Sequence, residues 1–272
     1  MTAHLVGAGR TDVGLKRKNN EDSFFFNDKL GLYLVADGMG GAASGEVASK
    51  LVAETIAEYV RLYIDQPLES PERYDFFSSA LSPRANTLLQ AVHLANSLVY
   101  DAAHKNDANK GMGSTLAAIL TDGEDALVTN VGDSRVFRSR DGRLERLTVD
   151  HRLADDPQFH GVIDPEGTIM TTLGHTLTRG MGVKREVKPD LHRLPLQVGD
   201  VFLICSDGLT DMVPEEMIAK VLAMRLSPDK KVKDLIELAL AGGGRDNVTA
   251  VLAQAQTHDR LKGLLSRLTG GN

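Results

Sequence analysis

The sequence GLYLVADGMGG, residues 31–41, decides how the rest of the chain is interpreted. Its apolar run is typical of a buried strand that ends abruptly at Asp37, where glycines let the backbone turn and leave room for a ligand. The same pattern returns in VFLICSDG, residues 201–208, which ends at Asp207 and Gly208. Both stretches therefore predict an acidic side chain at the end of a buried strand, where side chains reach a cleft.

An Asp-Gly pair alone is a common turn sequence, and Asp122-Gly123 and Asp141-Gly142 predict ordinary hairpin turns. Other acidic residues of the chain occur in settings comparable to those of the two strand-end aspartates. They lie beside β-like runs, among small or polar residues that suit a site better than a core: Glu21-Asp22, Asp133 and Asp246. Together these acids favour one shared site over a set of unrelated turns.

Composition narrows the function classes. The chain has 272 residues, 42% hydrophobic and 25% charged, which is ordinary for a soluble globular protein with one large domain or two small ones. A net charge of -6 argues against nucleic acid as the main partner. The single cysteine, Cys205, cannot form an internal disulfide, and no segment approaches the roughly 20 apolar residues of a membrane helix. We therefore expect a cytoplasmic protein without membrane contact.

Hydrophobic periodicity predicts the other elements. Helices are expected at residues 45–63, 83–105, 214–224 and 228–241, and the first two should pair. Strands are expected at residues 5–12, 23–26, 186–194, 201–206 and 248–255. Between residues 115 and 147, short β-like runs separated by the two Asp-Gly turns predict one antiparallel meander with Asp133 between two of its strands. Residues 150–176 are irregular and interrupted by Pro and Gly, which predicts a functional flap or a mobile segment.

Several carboxylates can share a pocket only if cations neutralise them, because like charges a few ångströms apart repel one another. Oxygen ligands without a His or Cys cluster suit Mg²⁺ or Mn²⁺ better than Zn²⁺. Two such ions sharing a carboxylate lower the pKa of a bridging water, which predicts metal-assisted phosphoester hydrolysis. Arg17, just before Glu21-Asp22, is expected to clamp phosphate oxygens with its planar guanidinium.

Seven short motifs follow one another along the chain: RKNNED (17–22), VADGMGG (35–41), GMGSTL (111–116), NVGDSR (130–135), LTRGMG (177–182), CSDGLTD (205–211) and GGRDNVTA (243–250). In this order they resemble the metal-dependent serine/threonine phosphatases of the 2C type, in their bacterial form. The resemblance extends from about residue 7 to residue 255.

The resemblance implies an α+β fold: a four-layer αββα sandwich, in which two mostly antiparallel β-sheets are flanked by helices and a dinuclear metal site lies at one end. Residues 1–256 would form the phosphatase 2C-like catalytic domain, with the flap at about residues 150–176. Residues 257–272 would form a C-terminal tail, expected as a short helix that docks on the sandwich or frays; a partner-binding or membrane-surface role is the alternative.

By the same resemblance, Asp37 bridges two catalytic Mn²⁺ or Mg²⁺ ions, and the Gly38 carbonyl is a ligand of one of them. Asp207 and Asp246 would hold the other ion. The remaining roles that the resemblance implies are coordination through water by Asp22 and Glu21, phosphate binding by Arg17, and a third, weaker metal site at Asp133 with Asp207.

Two positions depart from the family pattern. Met39 occupies the place where some eukaryotic members carry a histidine as a proposed general acid, so protonation of the leaving oxygen would fall to a metal-bound water. Gly180 stands where bacterial relatives usually carry alanine, and the flap sequence is shorter than expected. Substrate preference is therefore open.

These observations predict a monomeric phosphatase that hydrolyses phosphoserine and phosphothreonine by direct attack of a metal-bridging water. Its expected partners are phosphoprotein substrates of a serine/threonine kinase, with no nucleic acid and no membrane. One alternative is a non-catalytic regulator of the same fold that binds a partner protein through the cleft. Another is an enzyme that acts on a small phosphoester or a phosphotyrosine protein.

Overall fold

The computed structural model describes residues 3–40, 44–66, 77–105, 107–155 and 176–257. The strands are β1 (Ala3–Asp12), β2 (Asp22–Asn27), β3 (Leu32–Met39), β4 (Gly113–Ser114), β5 (Leu116–Asp122), β6 (Asp125–Val131), β7 (Arg135–Arg140), β8 (Arg143–Arg146), β9 (Asp190–Pro195), β10 (Val201–Cys205) and β11 (Val248–Thr257). The α-helices are α1 (Ser44–Tyr63), α2 (Pro83–Lys105), α3 (Asp207–Thr210), α4 (Glu215–Ala223) and α5 (Pro228–Ala241).

The strands form two sheets. One has the order β1-β11-β10-β7-β8, and the other has the order β2-β3-β5-β6-β9, with the short β4 pairing with β3. Every strand pairing in the described ranges is antiparallel.

Three apolar clusters separate four layers. Tyr33 and Val35 of β3 pack between the two sheets, together with Phe202 and Ile204 of β10. The alternate β3 residues, among them Leu34, face α1 and α2 on the outer side of their sheet. Helices α4 and α5 cover the outer face of the other sheet. Because β3 is buried on both faces, its sequence is a nearly continuous apolar run. The four layers confirm the predicted αββα sandwich.

The chain changes sheets between β6 and β7, so the prediction of one meander at residues 115–147 is wrong. The two predicted hairpins exist, but β5 and β6 belong to one sheet and β7 and β8 to the other. Gly132 allows the crossing because its φ of 97° is in the left-handed region. Its N–H is bonded to His151 Nδ1 at 3.1 Å instead of to a neighbouring strand. Asp133 is thereby placed at one end of the sandwich, between the sheets.

The strand predicted at residues 186–194 begins later, at Asp190. Asn96 of α2 donates its side-chain N–H groups to the carbonyls of Lys184, at 3.1 Å, and Arg185, at 3.0 Å. Arg179 donates to the carbonyl of Lys188 at 3.3 Å. The carbonyls of residues 184, 185 and 188 therefore accept hydrogen bonds from side chains instead of from a neighbouring strand, and the strand begins only after them.

Most of the predicted flap (residues 156–175) and all but the first residue of the predicted tail (residues 258–272) lie outside the described residues. The division into a catalytic domain and a tail stays a prediction. None of the helices in the described ranges combines the length and the apolar character that a membrane span requires.

We expect Ile119→Ala to lower the free energy of unfolding by about 2–5 kcal/mol, because it leaves a cavity between the sheets. Urea denaturation followed by circular dichroism measures the change. Val198→Ala is the control, since Val198 is 51% exposed and its truncation should cost far less. Equal urea midpoints for the two variants would contradict the packing described here.

Candidate metal centre

The predicted acids meet because antiparallel neighbours share an end of the sheet. Asp22 opens β2 and lies directly opposite Asp37 in the β2–β3 register. Asp207 follows β10, and Asp246 precedes β11, its antiparallel neighbour. Both pairs, and Asp133 after β6, therefore lie at the same end of the sandwich.

A cleft of about 280 Å³ opens at this end. Of the residues predicted for the site, those that line it are Arg17, Glu21, Asp37, Gly38, Asp133, Asp207 and Asp246. Asp22 is buried beside Asp37 and is only 7% exposed. The structure thus brings the predicted residues together, although they come from five separate segments of the chain.

Burial and mutual repulsion raise the pKa values of the aspartates. Burial is the main cause at Asp37, followed by repulsion from Asp22 and Asp207, and its pKa lies well above the usual range. Burial, followed by repulsion from Asp133, raises the pKa of Asp207 to about 7. These carboxylates therefore resist ionisation as long as no cation compensates them.

Asp22 has a more polar setting. Burial raises its pKa to about 6, although hydrogen bonds from Thr249 and Ser206 oppose that shift. Its Oδ2 accepts from Thr249 Oγ1 at 2.6 Å and from Ser206 Oγ at 2.8 Å. Its Oδ1 is buried without a hydrogen-bond partner. A buried carboxylate oxygen without a donor is one that a cation or its water shell would satisfy.

Arg17 is the one cationic side chain among the described residues that line the cleft. Its Nη2 donates to Asp246 Oδ2 at 2.6 Å, and this hydrogen bond raises the pKa of the guanidinium. The Arg17 side chain is 54% exposed, so it is accessible from the open side of the cleft. As placed, it supplies part of the positive charge that the carboxylates need.

The donor set fits hard divalent cations, because it consists of carboxylates around one cleft without a histidine or cysteine among the described lining residues. At Gly38 the backbone of β3 packs closely against the backbone of Gly45, because a Cβ at position 38 would lie 2.1 Å from the Gly45 carbonyl oxygen. In the described ranges, no three His, Cys, Asp or Glu side chains are arranged so that they could already hold one ion. Asp22 and Asp246 instead engage protein donors.

Asp133 lies next to a cluster of arginines around Asp150. The fully buried Asp150 carboxylate forms ion pairs with Arg135 at 2.8 Å, with Arg152 at 2.7 Å and with Arg146. Burial, and then the charge of Asp150, raise the pKa of Asp133, whereas Arg152 lowers it. The arginine cluster therefore fixes the residues that follow the sheet crossing and moderates the charge at Asp133.

Two polar residues that position the acids were not singled out from the sequence. Thr115 holds the Asp37 backbone from both sides: its N–H donates to the Asp37 carbonyl at 2.8 Å, and its Oγ1 accepts from the Asp37 N–H at 3.0 Å. Asn247 accepts from the Glu21 N–H at 2.7 Å and donates to the carbonyls of Val13 and Asn19. Their places in GMGSTL and GGRDN, beside the predicted acids, were the available signals.

Comparison with known proteins decides the family. Residues 14–241 match the model of the family described as Protein phosphatase 2C. This chain belongs to the protein phosphatase 2C family. The serine/threonine phosphatase stp of Listeria innocua is 34% identical over 250 residues, which cover 90% of this chain and 94% of that relative. The serine/threonine protein phosphatase PstP of Mycobacterium tuberculosis is 37% identical over 259 residues, which cover 95% of this chain and 46% of PstP.

A solved structure of the catalytic domain of PstP in complex with 2 manganese ions has the same fold, with a TM-score of 0.77 and 36% identity. The alignment covers 94% of this chain and 100% of that one. The resemblance seen in the seven motifs is thus confirmed, and so is the dependence on Mn²⁺ or Mg²⁺ that it implied. The protein is a serine/threonine phosphatase of this metal-dependent family and acts on phosphoproteins.

We expect Asp37→Asn to make the metal-free phosphatase more stable, because it removes one of several carboxylates that repel one another. A gain of about 1 kcal/mol corresponds to a rise in Tm of about 2–4 °C for a chain of this size. The same variant should lose the rise in Tm that Mn²⁺ produces in the wild type. Thermal unfolding in EDTA and in Mn²⁺ measures both effects.

Asp141→Asn is the matched control, because Asp141 lies in the exposed turn between β7 and β8 and has a φ of 51° that asparagine tolerates. It should change neither measurement. An Asp37→Asn protein that Mn²⁺ still stabilises like the wild type would contradict the role of Asp37 in the centre.

Proposed function

We propose that this phosphatase hydrolyses phosphoserine and phosphothreonine in proteins by direct attack of water, without a phosphoenzyme. The observation that supports this proposal is the meeting of Asp37, Asp133, Asp207 and Asp246 with Arg17 in one cleft. Two divalent ions bound there would polarise the phosphoryl group and lower the pKa of the attacking water. The chain's own residues hold the ions and orient the phosphate.

For the individual ligands we propose the roles that the family resemblance implies, and the positions of the residues support them. Asp37 lies centrally, since the charges of Asp22, Asp133, Asp207 and Asp246 all act on it, and we propose that it bridges the two ions. The Gly38 carbonyl would be a ligand of one ion, and Asp207 with Asp246 would hold the other. Glu21 and Asp22 would act through water, and Asp133 with Asp207 would provide a third, weaker site.

Arg17 is the proposed phosphate clamp. It holds Asp246 through one nitrogen, is 54% exposed, and has a planar guanidinium that matches two phosphate oxygens. Once cations balance Asp246, the guanidinium is free to orient the substrate. Arg17 thus serves as a countercharge before loading and as a substrate ligand afterwards.

The leaving serine or threonine oxygen receives its proton from water in this proposal. Met39 follows Gly38 at the cleft and has no proton to donate. Its Cε packs near Gly113 and Gly180, since a Cβ at these positions would lie 2.7 and 2.5 Å from it. Met39 therefore shapes the rim of the cleft.

We further propose that the enzyme acts as a monomer in the cytoplasm and opposes a serine/threonine kinase. One chain supplies all the acids found among the described residues that line the cleft, and its single cysteine, Cys205, is free and buried, which suits a reducing compartment. The alternative of a non-catalytic regulator is disfavoured because Asp37, Asp207 and Asp246 are all present.

Asp207→Asn should lower kcat/KM for a phosphothreonine peptide by at least about 100-fold, because one lost carboxylate weakens the centre that stabilises the transition state. EDTA should abolish wild-type activity, and Mn²⁺ should restore it. Asp141→Asn is again the control. Hydrolysis that survives EDTA would contradict the mechanism. A higher rate with phosphotyrosine peptides than with phosphothreonine peptides would favour the alternative of a phosphatase that acts on phosphotyrosine proteins.

Arg17→Ala should have two opposite effects. KM for the phosphothreonine peptide should rise about tenfold, because the phosphate loses a bidentate partner. Mn²⁺ should bind up to about fivefold more tightly to the variant. In the wild type the ion must break the exposed ion pair between Arg17 and Asp246, and the variant lacks this pair. Steady-state kinetics and calorimetric titration measure the two effects, with Lys16→Ala as the control. An unchanged KM would rule out the clamp.

A further inference from the structure

A second groove, of about 330 Å³, lies beside the cleft and is lined by eight of the residues between positions 178 and 188. Leu177 lines the cleft, and the next residue, Thr178, lines the groove. Met39 lines the cleft, and its Cε reaches Gly180, which lines the groove. A polypeptide bound with one residue in the cleft can therefore place a nearby residue in the groove.

The groove carries excess positive charge on a protein whose net charge is -6. Arg179, Lys184 and Lys188 line it with one acid, Glu186. Arg179 is paired with Asp190 at 2.8 Å but remains 37% exposed. Lys184 and Lys188 are exposed and make no ion pair within the described ranges. Unpaired cations that line a concave surface favour an anionic ligand.

The backbone of the groove is fixed before any ligand arrives. The Asn96 side chain, 1% exposed, accepts from the Gly182 N–H at 2.8 Å and donates to the Lys184 and Arg185 carbonyls. Met181 and Ser114 exchange two backbone hydrogen bonds, of 2.7 and 3.1 Å. A prearranged site loses less entropy when its ligand binds.

We propose that this groove is a substrate subsite, which binds an anionic side chain located a few residues from the phosphorylated residue of the same substrate protein. The proposal rests on the function proposed above and extends it to substrate choice. The ligand chemistry is a carboxylate or a second phosphate group. Because an extended chain advances about 3.3–3.6 Å per residue, the anion lies only a few positions away.

Three phosphothreonine peptides of equal length test the subsite: one with neutral flanks, one with glutamates on both sides, and one with a second phosphate on a flanking serine. The variant is the double substitution Lys184→Glu and Lys188→Glu. Wild type should show a five- to tenfold higher kcat/KM for the anionic peptides, mainly through KM, and the preference should fall with rising salt. The double variant should prefer the neutral peptide.

The matched control is the double substitution Lys29→Glu and Lys220→Glu. Both lysines are exposed, lie outside the groove and the cleft, and give the same change in net charge. This control should keep the wild-type preference. A carboxylate ligand is indicated if the glutamate peptide gains most, and a phosphate if the doubly phosphorylated peptide does.

Equal kcat/KM of wild type for all three peptides would overturn the subsite and leave the phosphatase function intact. An equal loss of preference in the control would also overturn it, because the effect would then be one of overall charge. Absence of hydrolysis of every peptide in Mn²⁺ would instead overturn the proposed function itself.

Discussion

Repulsion among carboxylates at one end of the sandwich is the constraint on which the rest of the structure depends. The antiparallel β2–β3 pair sets Asp22 opposite Asp37, and the β10–β11 pair brings Asp207 beside Asp246. Such neighbours destabilise a folded chain unless cations join them. The rigid sandwich holds them in place, so the same repulsion that weakens the metal-free protein makes the cleft attract divalent ions.

The sequence was informative wherever one stretch carried the whole signal. The buried runs that end at Asp37 and Asp207 predicted two strands, and the acids at their ends predicted a metal-dependent cleft. Periodicity could not tell which sheet a strand joins, so the crossing at Gly132 was missed. The late start of β9 depends on Asn96, a side chain about 90 residues away in the sequence, and local propensity cannot reveal such a contact.

An acidic cleft and a basic groove lie side by side on this phosphatase. The cleft is acidic, with Arg17 as its one cationic side chain among the described lining residues, whereas the groove of residues 178–188 is positive by its own side chains. Met39 and Gly180 separate the two. With the groove as the proposed subsite, chemistry and substrate selection can vary independently, since a change at an exposed lysine of the groove leaves the carboxylates untouched.

Strands β1 and β11 are hydrogen-bonded neighbours along ten residue pairs, from Ala3–Thr257 to Asp12–Val248. Asp246 and Asn247 come immediately before β11, and Asn247 secures the backbone around Glu21. During synthesis, β1 therefore has no partner for this ladder until β11, more than two hundred residues later, has been made. A ribosome-bound fragment that lacks β11 has no complete cleft, so the enzyme cannot become active before β11 has been synthesised.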